Sequence, residues 1–288
     1  MIANARMYSV SSAAAAAWRR LLQAVIEQSK LDIELLEHAE PRPLGELWLR
    51  GDMAAVFMCG LPFSLSRPQA TLVAAPVPSP RDFRGLPQYW SEMVVRTGSD
   101  FRALEDTFGG RIALTAPDSQ SGCLAALFHL MSAGGRLPLY EEVISPRLTP
   151  LGAMSAVIDG AADVAPIDSY AYCLLQKYRP ELAGGVRSIA RTLPTPIPPL
   201  VASMPPPVAS GRGPGLERLQ GAFLEAHRIA AIAPLMAALL LDRFVRPEPG
   251  SYDALRLNFE VAGRYWKEHR LAAMIHPAFA GAPMSFAG

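Results

Sequence analysis

The sequence predicts a two-lobed α/β fold, and three observations carry that expectation. Short apolar, strand-like runs alternate with helix-patterned segments from Ile2 to about Ala190, the alternation that builds parallel sheets covered by helices on both faces. The series starts afresh near Thr97, so one α/β set follows another. A proline-rich return at Pro194, Pro196, Pro198 and Pro199 then leads to a stretch that is helical in pattern. With 288 residues, 50% of them hydrophobic, the chain can build one large domain or two modest lobes with separate cores.

In the first lobe, residues 4–9 read as a strand and Ser11–Gln28 as a helix, because Trp18, Leu21, Leu22, Val25 and Ile26 recur at helical spacing. The alanine run Ala13–Ala17 belongs to that helix, alanine being the best helix former. Ile33–Leu36 reads as a strand and Leu44–Leu49 as a short helix, and Ala54–Cys59, Thr71–Val77 and Glu92–Val95 read as strands. In the second lobe, Arg111–Thr115, Glu142–Ser145 and Asp163–Ile167 are strands, followed by helices at Ser121–Ser132, Leu151–Asp159 and Ala171–Tyr178. Val186–Ala190 is the last strand of the set. Beyond Gly215 the pattern predicts helices at Leu216–Ile229, Ala233–Val245 and Tyr252–Glu268, with the apolar run Ile229–Leu241 in a buried helix.

The chain is expected to cross between lobes near Gln88–Val95 and Arg191–Val201, where proline fixes φ and keeps the second crossing extended. This puts residues 1–90 and 200–288 in lobe 1, with the closing helices packed there, and residues 91–199 in lobe 2. The stretch Ala209–Gly215 reads as a flexible surface loop.

Composition narrows the function. A formal net charge of +1, from 27 basic and 26 acidic side chains, offers no basic excess for nucleic acid. Cys59, Cys123 and Cys173 are far apart and form no C-x-x-C pair, which argues against a zinc or redox site. His38, His129, His227, His269 and His276 fall at no metal-ligand spacing. No nucleophile elbow, Walker loop or dinucleotide glycine motif occurs. These absences leave an enzyme without support, and no cofactor, metal site or membrane span is expected.

The most informative stretch is Ala113-Leu-Thr-Ala-Pro-Asp-Ser-Gln-Ser-Gly122, followed by an apolar helix. A strand ends, small polar residues turn the chain, and a helix begins that Ser119 or Ser121 can cap. The first amides of a helix lack intrahelical partners, and with the dipole they favour a carboxylate or phosphate.

Its surroundings extend that reading. Upstream stands Leu104-x-Asp106-x-x-Gly109-x-Arg111, and downstream come Ala156-Val-Ile-Asp-Gly160 and Ala162-Asp-Val-Ala-Pro-Ile-Asp168. Arg191-Thr-x-Pro-Thr-Pro-Ile-Pro198, Met7-Tyr8, Cys59-Gly-Leu-Pro-Phe63 and Tyr89-Trp-Ser91 complete the set. Together, over about residues 2–260, these segments resemble the phosphate/phosphite/phosphonate transporter substrate-binding family. The resemblance implies two Rossmann-like lobes joined by two crossing strands, the type II periplasmic-binding-protein arrangement, hinged to close on a small oxyanion or zwitterion. It assigns the anion grip to Ser119, Gln120 and Ser121, and puts Asp168 in the cleft, the alternative being that Asp168 caps the helix that follows it. Tyr8, Phe63, Tyr89 and Trp90 are candidates for its walls, or else core and hinge residues.

One departure stands out. The family carries a glycine–serine–histidine turn after the third strand of the second lobe, where this chain reads Ser145-Pro-Arg-Leu-Thr-Pro150. Arg147 or Thr149 is left to stand in for the histidine, an arginine being able to pair with an anion in bidentate fashion. The partner implied is an ABC permease or a sensor protein. No secretory leader is visible, since Ile2–Val10 already reads as the first strand. The expected location is therefore periplasmic if a leader has been removed, and cytoplasmic otherwise, where a sensor or a biosynthetic enzyme on the same scaffold is the alternative.

Overall fold

The computed structural model describes residues 1–40, 42–66, 70–132, 139–203 and 214–268. They divide into two compact units: the described residues of Met1–Gln88 with those of 196–252, and those of Tyr89–Thr195 with 253–268.

The first unit is built on a six-stranded sheet. Its strands are β1 (Ile2–Asn4), β2 (Glu34–Leu35), β3 (Met53–Phe57), β4 (Thr71–Pro78), β12 (Leu200–Ala202) and β13 (Leu241–Val245), in the order β13-β4-β12-β3-β1-β2. Strands β2, β1 and β3 run parallel, whereas β12 is antiparallel to β3 and β4, and β13 is antiparallel to β4. The sheet is thus mixed where purely parallel strands were expected, because the returning chain threads back through it in the opposite sense. Helix α1 (Ser12–Ser29) starts at Ser11, whose side chain accepts from the Ala14 amide, and ends at Lys30 in the left-handed conformation. The five apolar residues that predicted the helix are all buried on its inner face. Short helices α2 (Leu44–Trp48) and α3 (Gly60–Leu65) flank the all-buried β3.

The second unit holds a three-stranded antiparallel sheet, β10 (Val186–Arg191), β6 (Ser91–Arg96) and β9 (Ala165–Asp168), and a parallel pair, β7 (Arg111–Ala113) and β8 (Glu142–Ile144). A parallel bridge between Ile112 and Val164 joins the two sets. Here too the strands are mixed in direction. Helices α4 (Ala125–Leu130), α5 (Pro150–Ile158), α6 (Ser169–Tyr178) and α7 (Pro180–Ala183) complete the βα series. Strands β5 (Gln88–Tyr89) and β11 (Thr195–Pro196) pair as a ribbon where the chain leaves one unit and returns.

The C-terminal region brings two corrections. Helices α8 (Pro214–Glu225) and α9 (Ala233–Ala238) pack on α1, as expected of the closing helices. The helix predicted through Val245, however, stops at Ala238; Leu240 takes a left-handed backbone (φ 54) and Leu241–Val245 becomes an edge strand. The run Ile229–Leu241 is apolar on every side, so its period cannot separate helix from strand. Only its last residue, Leu241, enters the strand, where Leu241–Val245 pairs with the edge of β4 and buries Leu241 and Phe244. The third closing helix, α10 (Asp253–Glu268), belongs to the second unit, where it packs on α4 and on the turn preceding α4. An amphipathic pattern shows that a helix has a partner but not which one. The loop expected at Ala209–Gly215 lies outside the described residues up to residue 213, and α8 begins at Pro214. No described helix is long and apolar enough to cross a membrane.

Candidate functional site

The serine turn sits at the carboxyl end of β7 in the second unit, the end at which open α/β sheets bind ligands. Chain geometry after Ala113 explains its shape. The Ser119 amide donates to the Ala116 carbonyl, closing a tight turn through Pro117 and Asp118. Ser119 then caps a continuous helical run, a π-helical turn over Gln120–Leu124 that passes into α4. Its Oγ accepts from the Gly122 amide at 3.0 Å. A hydroxyl that accepts still has its own proton to donate, so Ser119 can meet an oxyanion.

The floor of the turn is Thr115. Its amide donates to the Gly122 carbonyl at 3.1 Å, and its own carbonyl accepts from the Arg147 and Leu148 amides at 2.7 and 3.2 Å. A Cβ on Gly122 would lie 1.9 Å from Thr115 Oγ1, so no other residue fits there unless Thr115 changes. The same carbonyl thereby ties the loop after β8 to the loop after β7. In the β8 loop, Thr149 caps α5 by accepting from the Gly152 amide at 3.1 Å, while Arg147 Nε donates to the Gly152 carbonyl at 3.2 Å. Of the two residues considered for the absent histidine, Thr149 is thus engaged in capping, and Arg147 forms no ion pair among the described residues.

Ser91, at the start of β6, gathers the predicted residues of this unit. Its Oγ donates to the Ser121 carbonyl at 2.7 Å, its amide donates to Thr192 Oγ1 at 2.9 Å, and Asp168 faces it across the β6–β9 ladder. Next to it the Trp90 amide donates to Ser169 Oγ, and the Ser169 amide donates to the Trp90 carbonyl. Asp168 takes the capping role, its Oδ1 accepting from the Ala171 amide at 2.8 Å. The buried carboxylate of Glu92 accepts from Trp90 Nε1 (2.7 Å), Ser188 Oγ (2.5 Å) and Arg191 Nε (3.0 Å). The Arg191 guanidinium in turn stacks 5.2 Å from the Trp90 ring. This network locks the indole in place.

The remaining predicted residues are placed less openly. Gln120 is 1% exposed and Ser121 8%, while Asp118 and Ser119 are half-buried, so the accessible part of the turn is its leading edge. Tyr8 lies in the core of the first unit, edge-on to Phe57 at 5.2 Å and stacked near Trp18. Phe63 packs edge-on against Tyr252 at 5.1 Å, and Tyr89 is buried at the exit ribbon. Tyr8 and Phe63 are thus both packed against aromatic neighbours within that unit. Sequence reasoning missed Ser91, Thr192 and Thr115, because no local pattern reports that Ser91 meets Ser121 and Thr192, or that Thr115 meets both Gly122 and Arg147.

Electrostatics single out Asp118. Burial raises its carboxyl above the ordinary 3.8, and only its own backbone amide opposes that. Burial also pushes the Cys123 thiol up to about 12, with Asp118 adding to the effect. A carboxyl raised in the folded state binds more protons than in the unfolded chain, so stability falls as pH rises from 3.8 through the raised value. Asp118→Asn is therefore expected to raise the melting temperature at pH 7 and to lose that advantage below pH 3.8, as thermal denaturation across pH will show. A variant that melts lower than wild type at pH 7 contradicts the assignment.

No disulfide joins the three cysteines, and the described residues contain no cluster of three or more His, Cys, Asp or Glu side chains able to hold a metal.

Comparison with known proteins places this geometry in context. The family described as ABC transporter, phosphonate, periplasmic substrate-binding protein matches residues 8–252. Among solved structures, a binding-protein component of an ABC phosphonate transporter from Pseudomonas aeruginosa is similar at a TM-score of 0.72 and 16% identity, over 93% of this chain and 88% of that one. PhnD1 from Prochlorococcus marinus, solved in complex with methylphosphonate, is similar at 0.73 and 15% identity, over 93% and 97%. The periplasmic aliphatic sulphonate binding protein SsuA from Escherichia coli follows at 0.56 and 17% identity, over 94% and 87%. These structural likenesses show a common fold. No curated protein matches the chain.

Proposed function

The chain belongs to the periplasmic substrate-binding proteins of phosphonate ABC transporters, and from that premise we propose that it captures a phosphonate or a similar small oxyanion or zwitterion at the serine turn and presents it to a membrane permease. The observation that carries the reading is Ser119: its oxygen is held by the Gly122 amide while its proton stays available, at a half-buried helix start. Hydroxyl donors and first-turn amides favour an acceptor with negative charge. The similar PhnD1, solved with methylphosphonate, supports that ligand class, and the similar sulphonate-binding protein makes sulfonates the natural comparison. The role is capture without chemistry on the ligand, in the periplasm, as in the rest of the family.

Isothermal titration of the purified chain with methylphosphonate, inorganic phosphate, 2-aminoethylphosphonate and methanesulfonate tests this reading. Saturable binding of at least one phosphonate, tighter than methanesulfonate, is expected, because a second ionisable oxygen adds charge at the turn. Equal or tighter binding of methanesulfonate, or no heat with any of the four, overturns it.

A further inference from the structure

The serine turn is wired, through hydrogen bonds, to a residue on a different strand. Ser91 Oγ donates to the Ser121 carbonyl at 2.7 Å. That carbonyl belongs to the same peptide group as the Gly122 amide, which donates to Ser119 Oγ at 3.0 Å. Donation into a carbonyl polarises its peptide and strengthens the amide as a donor, the cooperativity of hydrogen-bond chains in a low-dielectric interior. At the far end, a Ser119 hydroxyl that accepts from Gly122 must aim its proton elsewhere. Ser91 itself is fully buried and fixed from behind, since its amide donates to Thr192 Oγ1 at 2.9 Å and its carbonyl accepts from the Thr192 amide at 3.1 Å. The peptide that follows is held as well, because the Gly122 carbonyl accepts from the Thr115 amide.

We propose that Ser91 is a positioning residue for ligand capture: through the Ser121–Gly122 peptide it turns the Ser119 hydroxyl proton outward, so that the turn presents a donor and favours a negatively charged oxygen of the ligand. The assignment rests on the reading of the turn as the oxyanion site. Ser91 does not touch the ligand; it sets the direction of the group that does. Ser188, on the neighbouring strand β10, supplies the control, since it too gives a hydroxyl to a buried acceptor, Glu92 at 2.5 Å, and makes no hydrogen bond to the turn among the described residues.

The test is calorimetric affinity for methylphosphonate together with melting temperature, for wild type, Ser91→Ala, Ser91→Cys and Ser188→Ala. Ser91→Ala is expected to weaken binding about tenfold or more, and Ser91→Cys, whose thiol is a weak donor, to fall between it and wild type. Ser188→Ala is expected to melt lower than wild type while binding within twofold of it. Should Ser91→Ala fail to fold, Ser91→Cys decides: wild-type affinity in that variant overturns the assignment. It is equally overturned if Ser91→Ala binds as wild type does, or if Ser188→Ala loses as much affinity as Ser91→Ala. Absence of binding by wild type overturns the oxyanion reading itself, a result distinct from all of these.

Discussion

Replacing Ser119 by glycine and Ser121 by alanine together is expected to reduce affinity for methylphosphonate at least about 100-fold. Each hydroxyl that donates to a charged acceptor contributes about 1.5–3 kcal/mol, and 1.4 kcal/mol is a factor of ten in affinity. Glycine is chosen at Ser119 because that residue also caps the helical run, through the Gly122 amide. Removing a cap with alanine costs about 1 kcal/mol, whereas glycine at the same position costs only a few tenths. The double variant should therefore melt close to wild type, which separates lost recognition from lost structure. Wild-type affinity in it removes the serines from the site.

The second large effect is steric. Alanine at Gly122 would put its Cβ at 1.9 Å from Thr115 Oγ1 and at 2.7 and 2.8 Å from the Thr115 Cγ2 and Cβ. The Thr115 backbone has little room to yield, since its amide and carbonyl together make three hydrogen bonds to Gly122, Arg147 and Leu148. Gly122→Ala is expected to destabilise the protein by about 3 kcal/mol or more, at the upper end of overpacking penalties, in chemical denaturation. Thr115→Gly removes all three clashing atoms, so the Thr115→Gly/Gly122→Ala double variant should be more stable than the sum of the single effects. Additive losses would show that the clash is relieved elsewhere.

Much of this was legible in the residues themselves, and the parts that were not share a physical reason. Helix α1 announces itself because one face carries Trp18, Leu21, Leu22, Val25 and Ile26, and a serine precedes it. The serine turn is visible for the same local reason: a capping hydroxyl, a glycine and an apolar run lie within a few residues. Strand β13 was hidden because the apolar run Ile229–Leu241 leads into it without a break in period, and only the edge of β4 decides where the helix ends. The destination of α10 was hidden because its partners, α4 and the π-helical turn, are more than a hundred residues earlier in the chain.

The candidate site divides along the same line. Ser119 and its capping bond follow from local sequence, as does the capping role of Asp168. Tyr8 and Phe63, named as possible walls, turned out to have aromatic neighbours from distant segments, Phe57 and Tyr252, that local sequence does not announce. Ser91 stood in plain view as the third residue of Tyr89-Trp-Ser91, but its role depends on a carbonyl that the fold brings to it.

The account stands or falls on where the ligand's charge is received. Amide resonances of chain labelled with 15N-serine and 15N-glycine, followed during titration with methylphosphonate, address this directly. The account predicts that the Ser119, Ser121 and Gly122 amides shift and saturate together with the calorimetric binding curve. Saturable binding that leaves those three amides unmoved would contradict it.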